Sequence, residues 1–214
     1  MKSYFAYKVA RGELKSNPAA DIKTPKREKR LPVYLNLTES RDLLKGITGK
    51  YAIRDKAILT LFLNCGLRLS ELVSIDRSDI RGDTLQVIGK GNKERTIYLN
   101  KACLSALNEY LDTRTDTEKA LFLSERKQRI SNRTVQALVK KHIGKAGLDT
   151  EKYSTHKLRH TAATLMYKHG HVDIRALQAI LGHESISTTE IYTHVDDEQL
   201  RAAVSNNPLN DMEE

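Results

Sequence analysis

One stretch of this 214-residue chain departs from the helical spacing around it: TLQVIGKGNKERTIYL, residues 84 to 99. Apolar and β-branched residues there flank a glycine-rich, charged tip, the pattern of two antiparallel strands joined by a hairpin loop. The segments YAIRDKAILTLFLNCG, KACLSALNEYLDT, SNRTVQALVKKHIGKAG, THKLRHTAATLMYKHG and VDIRALQAILG carry helical spacing instead. The first is mostly apolar, which predicts a buried helix ending at Gly66, with a further short helix starting near Arg68. Before it, LTESRDLLKGI offers Thr38 as a helix cap. In SNRTVQALVKKHIGKAG, Val135, Leu138, Val139 and Ile143 share one face. The expected fold is mainly α with a small antiparallel β-sheet.

A hydrophobic content of 39% is enough for a real core. No apolar run approaches the ~20 residues needed to span a bilayer, and MKSYFAYKVARGELK lacks the apolar core of a secretory signal. No membrane partner and a cytoplasmic location are expected. The net charge of +9 understates the basic character, because residues 196 to 214 hold six acids and one Arg, leaving +14 for the rest. Such a surface suits a polyanion, although most single Lys and Arg residues merely solvate a surface. Cys65 and Cys103 lack metal-like spacing, and Cys65 reads as a small buried hydrophobe.

The organisation expected along the chain has four parts. Residues 1–17 read as the end of a helix, since no capping residue precedes the first apolar positions. Residues 18–32, with a basic cluster and prolines, read as a linker. Residues 33–195 form the main domain, and residues 196–214 form a tail in which Leu200 and Val204 make a short apolar stripe.

Four sites combine chemistry-bearing residues. In CGLRLSEL, Glu71 lies three residues after Arg68 on one helical face; alone, the octapeptide reads as a surface ion pair. Lys90 stands between two glycines in the hairpin tip, where a solvated Lys is the ordinary reading, and the spacing is not that of a nucleotide-binding loop. In HKLRH, His156, Arg159 and His160 share one turn. Zinc is the weaker explanation, because the Glu that the metalloprotease pattern places between its histidines is absent, whereas an oxyanion would relieve the repulsion. In LGHESISTTEIYTHV, Gly182 ends a helix, His183 follows, and Ser187 with Glu190 can form a capping box for a short helix carrying Tyr192.

Taken in order, GLRLSEL, VIGKGNKER, HKLRHTAAT and LGHESISTTEIYTHV resemble the tyrosine recombinase family, most closely Xer-type recombinases and related phage and transposon integrases. The resemblance runs from the first residues to about Val195. It implies that Arg68, Lys90, His156, Arg159, His183 and Tyr192 fill six active-site positions, with Glu71 as an accessory acid and no cofactor or metal. It also implies that 1–17 is the last helix of an N-terminal core-binding domain, that 33–195 is the catalytic domain, and that the tail is exchanged between protomers or packed in cis before assembly. The implied partners are double-stranded DNA, a homo-tetramer on synapsed DNA, and accessory DNA-bending or cell-division proteins, in a nucleoid-associated prokaryotic setting. A DNA-binding relative without catalysis and a type IB topoisomerase-like relaxing enzyme are the alternatives.

Overall fold

The computed structural model describes residues 2–22, 33–89, 94–170 and 172–192, and the chain divides into two units, 1–31 and 32–214. The first unit holds helix α1, Lys2–Ala10, none of whose residues is buried. Its last turn closes through Arg11, Gly12 and Glu13, whose N–H groups donate to the Tyr7, Val9 and Lys8 carbonyls.

The second unit opens on α2, Leu37–Lys45. Its cap is Asn36 rather than the expected Thr38. Asn36 accepts the Glu39 N–H at 2.8 Å, and the Glu39 carboxylate accepts the Asn36 N–H at 2.7 Å. Thr38 cannot form this reciprocal box, because the residue three positions on is Arg41.

Helix α3, Ala52–Cys65, is buried along most of its length, as its apolar sequence predicts, and packs against α5 (Lys101–Asp112) and α7 (Thr155–His169). Helix α4, Leu69–Ser74, packs against α6, Asn132–Lys145, whose Val135, Leu138, Val139 and Ile143 are all buried. Strands β2 (Thr84–Ile88) and β3 (Glu94–Tyr98) form the expected antiparallel pair, with Leu85 opposite Ile97. A two-residue strand β1, Ile80–Arg81, extends the sheet in the order β1-β2-β3 and is too short to leave a sequence pattern. Residues 90–93, Lys90 among them, and the tail from 193 onward lie outside the described residues.

A smaller apolar cluster joins Ala163 of α7 to Leu177 and Leu181 of α8 (Ile174–Leu181) and to Tyr192. Cys65 is buried, as expected, with its sulfur 3.7 Å from that of Cys103. No described helix is long and apolar enough to cross a membrane.

The main core also encloses charge. Asp55 accepts Arg54 Nε at 3.0 Å and Nη2 at 2.7 Å on one oxygen, while its other oxygen bonds His142 Nε2 at 2.9 Å. Arg54 Nη1 donates to the Leu123 carbonyl at 2.9 Å, so the group ties α3, α6 and the segment after α5 together. Asp55→Ala is expected to destabilise folding by about 3–5 kcal/mol, because it leaves a buried guanidinium uncompensated. Urea denaturation checks this; an unchanged midpoint would contradict it.

Candidate active site

The site is built where α3 ends. Gly66 adopts φ +60°, and its N–H donates to the Phe62 carbonyl at 3.2 Å. A side chain there would be strained and would bring a Cβ within 2.8 Å of Leu181, so glycine both terminates α3 and admits α8. The chain then turns to set Arg68, in extended conformation, at the start of α4.

Glu71 is 1% exposed, which overturns the surface-pair reading. It accepts the Arg68 N–H and Nη1, each at 2.7 Å, and receives Arg95 Nη1 and Nη2 at 2.5 and 2.9 Å. Arg159 Nη1 lies 4.0 Å away. Burial alone would push the Glu71 pKa up, but the hydrogen bonds from Arg95 and Arg68 outweigh it and hold the carboxyl below its ordinary value. Three guanidiniums thus surround one carboxylate.

The end of α8 gathers these arginines. Helix-terminal carbonyls lack intrahelical partners and carry the negative end of the dipole. The Ile180 carbonyl accepts Arg95 Nε at 3.2 Å, Leu181 accepts Arg159 Nη2 at 2.6 Å, and Gly182 accepts Arg68 Nη2 at 2.7 Å. Arg159 is fixed further by the Gly66 carbonyl, 2.5 Å from Nη1. Burial, then the neighbouring Arg68, pushes its pKa down to about 10, which leaves it cationic at neutral pH.

Gly182, at φ +64°, delivers His183, whose Nδ1 pairs with Thr189 Oγ1 at 3.0 Å. Ser185, two residues before the expected Ser187, caps a 3-10 turn at Ile186–Thr188, and Tyr192 closes a second 3-10 turn, Glu190–Tyr192. On α7, His156 Nε2 and His160 Nε2 approach to 3.0 Å, and His160 Nδ1 lies 2.6 Å from the Tyr192 hydroxyl. Among the described residues, no three His, Cys, Asp or Glu side chains gather as a metal-binding group.

Arg68, His156, Arg159 and His183 line one cavity of about 540 Å³, together with Ser70, Asn132, Thr155 and Thr188. Tyr192, 4% exposed, lies outside that lining, with its hydroxyl turned to His160. Burial pushes its pKa up to about 12 against the pull of Arg159. Five of the six expected positions and Glu71 therefore lie within the described residues, and four of the five line one cavity. The sequence reading missed Arg95, which a hairpin position made look solvated, and gave His160 no specific role.

Burial, followed by the surrounding cations, pushes His160 and His183 down to about 4 from 6.5. The unfolded chain therefore takes up protons before the folded one as pH falls. These histidines leave stability undiminished above about pH 6.5 and cost an increasing share of it down to about pH 4. The melting temperature is expected to drop across that window, and His183→Gln should flatten the slope; thermal melts at several pH values read it directly.

A cavity edged by two arginines and two histidines, with a phenol beside it, suits an oxyanion undergoing attack. Residues 34–199 match the model of the phage integrase family. The chain is 57% identical over 214 residues to tyrosine recombinase XerC of Caldanaerobacter subterraneus subsp. tengcongensis, covering 98% of this chain and 61% of that relative's length. It is 39% identical over 211 residues to XerD of Proteus mirabilis, covering 94% of this chain and 67% of XerD. Among solved structures, the crystal structure of XerA recombinase superposes with a TM-score of 0.71 at 34% identity, over 87% of this chain and 70% of that one. XerH in its post-cleavage complex with palindromic difH substrate gives 0.70 at 28% identity, over 86% and 55%. The architecture, the ordered motifs and these likenesses together make the chain a member of the phage integrase family, the tyrosine recombinases.

Proposed function

We propose that this chain is the catalytic part of a site-specific DNA recombinase that cleaves and rejoins double-stranded DNA through a 3′-phosphotyrosyl intermediate. The observation that carries the reading is the convergence of Arg68, His156, Arg159 and His183 on one cavity, with the Tyr192 hydroxyl behind His160. The scissile phosphate occupies the cavity. Arg68 and Arg159 stabilise charge building on its nonbridging oxygens, and His183 adds a hydrogen bond. Tyr192 attacks and sheds its proton to the histidine side of the site. Lys90 protonates the departing 5′ oxygen. Its placement is outside the described residues, but Gly89 and Glu94, which bracket 90–93, line a second cavity together with Arg68 and His183.

The new ester keeps the energy of the broken linkage, so a 5′ hydroxyl from another strand reseals it without ATP. Chromosome dimer resolution or DNA integration and excision is the resulting process. Assembly as a homo-tetramer on synapsed DNA, exchange of residues 196–214 between protomers, and accessory DNA-bending or cell-division proteins belong to the same proposal. So does a nucleoid-associated cytoplasmic site.

A nicked suicide duplex carrying the recombination site tests it. Loss of the short 5′ fragment traps the adduct as a band of reduced mobility on a denaturing gel. No adduct from either this chain or its full-length form would indicate DNA binding without catalysis. Relaxation of a supercoiled plasmid lacking the site would favour the topoisomerase reading.

Arg95→Lys keeps the charge, but one ammonium cannot hold both Glu71 oxygens and the Ile180 carbonyl. Capture is expected to slow by up to ~10²-fold through misplacement of Arg68 and Glu71. A rate equal to the unsubstituted chain's would remove Arg95 from the positioning network.

A further inference from the structure

Tyr192 is 4% exposed and packs with Ala163, Leu177 and Leu181, and the partner the structure gives its hydroxyl is His160 Nδ1, 2.6 Å away. A buried hydroxyl that only received a hydrogen bond would leave its own O–H unsatisfied. Tyr192 therefore donates, and His160 Nδ1 is bare. A neutral imidazole with a bare Nδ1 carries its proton on Nε2. That Nε2 faces His156 Nε2 at 3.0 Å, so His156 accepts there and keeps its own proton on Nδ1. One direction of donation satisfies all three groups: Tyr192 to His160 to His156.

We infer that His160 is a further catalytic residue, the group that takes the Tyr192 proton, with His156 as the second station toward the cavity. The inference rests on the recombinase reading proposed above. As the phenol oxygen attacks phosphorus, its O–H bond breaks, the electron pair forms the new P–O bond, and the proton passes to His160 Nδ1. His160 becomes an imidazolium and hands its Nε2 proton to His156. The P–O5′ bond breaks with its pair on the 5′ oxygen, which takes a proton from the general acid.

Burial and neighbouring charge hold the proton on Tyr192. Burial, then His156, Lys157, Arg159 and His183, keeps His160 at about 4, while burial keeps Tyr192 at about 12. A phosphodiester beside those cations offsets part of the charge that depresses His160, which eases the transfer when DNA is bound. His160 neutral and Tyr192 protonated is thus the condition of the DNA-free chain.

Two arms test this. In the DNA-free chain, long-range nitrogen–proton NMR of labelled histidine is expected to show His160 bare at Nδ1 and protonated at Nε2; the opposite tautomer overturns the inference whatever the chain's activity. On the suicide duplex, His160→Gln and His160→Ala are expected to lower the capture rate by ~10²–10⁴-fold. Placing 3-fluorotyrosine at position 192, whose phenol ionises more readily, is expected to restore part of that loss. A merely structural His160 would give no restoration. Capture undiminished by both substitutions, or a loss that fluorination leaves untouched, sinks the proton-acceptor role. Absence of capture by the unsubstituted chain and its full-length form counts against the recombinase reading instead, and the tautomer arm still decides the hydrogen-bond direction.

Discussion

Tyr192→Phe is expected to abolish the covalent protein–DNA adduct while leaving the fold and DNA affinity in place. The substitution removes one oxygen from a side chain that is 4% exposed and keeps its ring in the cluster with Ala163, Leu177 and Leu181. The lost hydrogen bond to His160 leaves one partly buried imidazole nitrogen unpaired, a cost of about 1–3 kcal/mol. The cavity-lining residues Arg68, His156, Arg159 and His183 are untouched, so DNA binding through phosphates is expected to persist. The suicide duplex reads the first effect and fluorescence anisotropy the second. Undiminished capture by the Phe variant would eliminate Tyr192 as nucleophile, and with it the mechanism.

Arg159→Lys is expected to slow capture by ~10²–10³-fold, the scale of removing one preorganised donor from a developing oxyanion. Arg159 spans the Gly66 and Leu181 carbonyls with two nitrogens, and a single ammonium cannot reach both in that geometry. Arg159→Ala adds the loss of charge, so it weakens phosphate binding as well. The two variants separate geometry from charge: Lys should spare affinity more than rate, while Ala should lower both. Equal rates for Lys and the unsubstituted chain would mean that the fork geometry of Arg159 is irrelevant to the chemistry.

What was legible in the sequence was what neighbours in sequence decide. The apolar period placed Val135, Leu138, Val139 and Ile143 in the core, and the switch to β-branched residues marked β2 and β3. Gly66 and Gly182 read as helix ends because their left-handed backbone suits glycine. The motif order gathered the site residues by family resemblance. Contacts set by distant partners were illegible. Arg95 looks like a hairpin cation until α8 brings the Ile180 carbonyl to it from 85 residues away. Asp55 and Arg54 read as ordinary charges within an apolar helix until His142 closes on them from 87 residues away. The missed cap at Asn36 was a local error, since Asn36 and Glu39 already spelled the reciprocal box.

The three arginines on successive carbonyls at the end of α8 and its cap also bear on the order of events during synthesis. Arg68 caps the start of α4, and Arg95 and Arg159 belong to β3 and α7; all three leave the ribosome before α8. A nascent chain can close the main core around α3 before Ile180, Leu181 and Gly182 exist to collect those side chains. His183 and Tyr192 follow later still. A partly made chain can therefore hold a packed core while Arg68, Arg95 and Arg159 still lack the carbonyls that collect them, so the arrangement of the site waits on the docking of the last described helix.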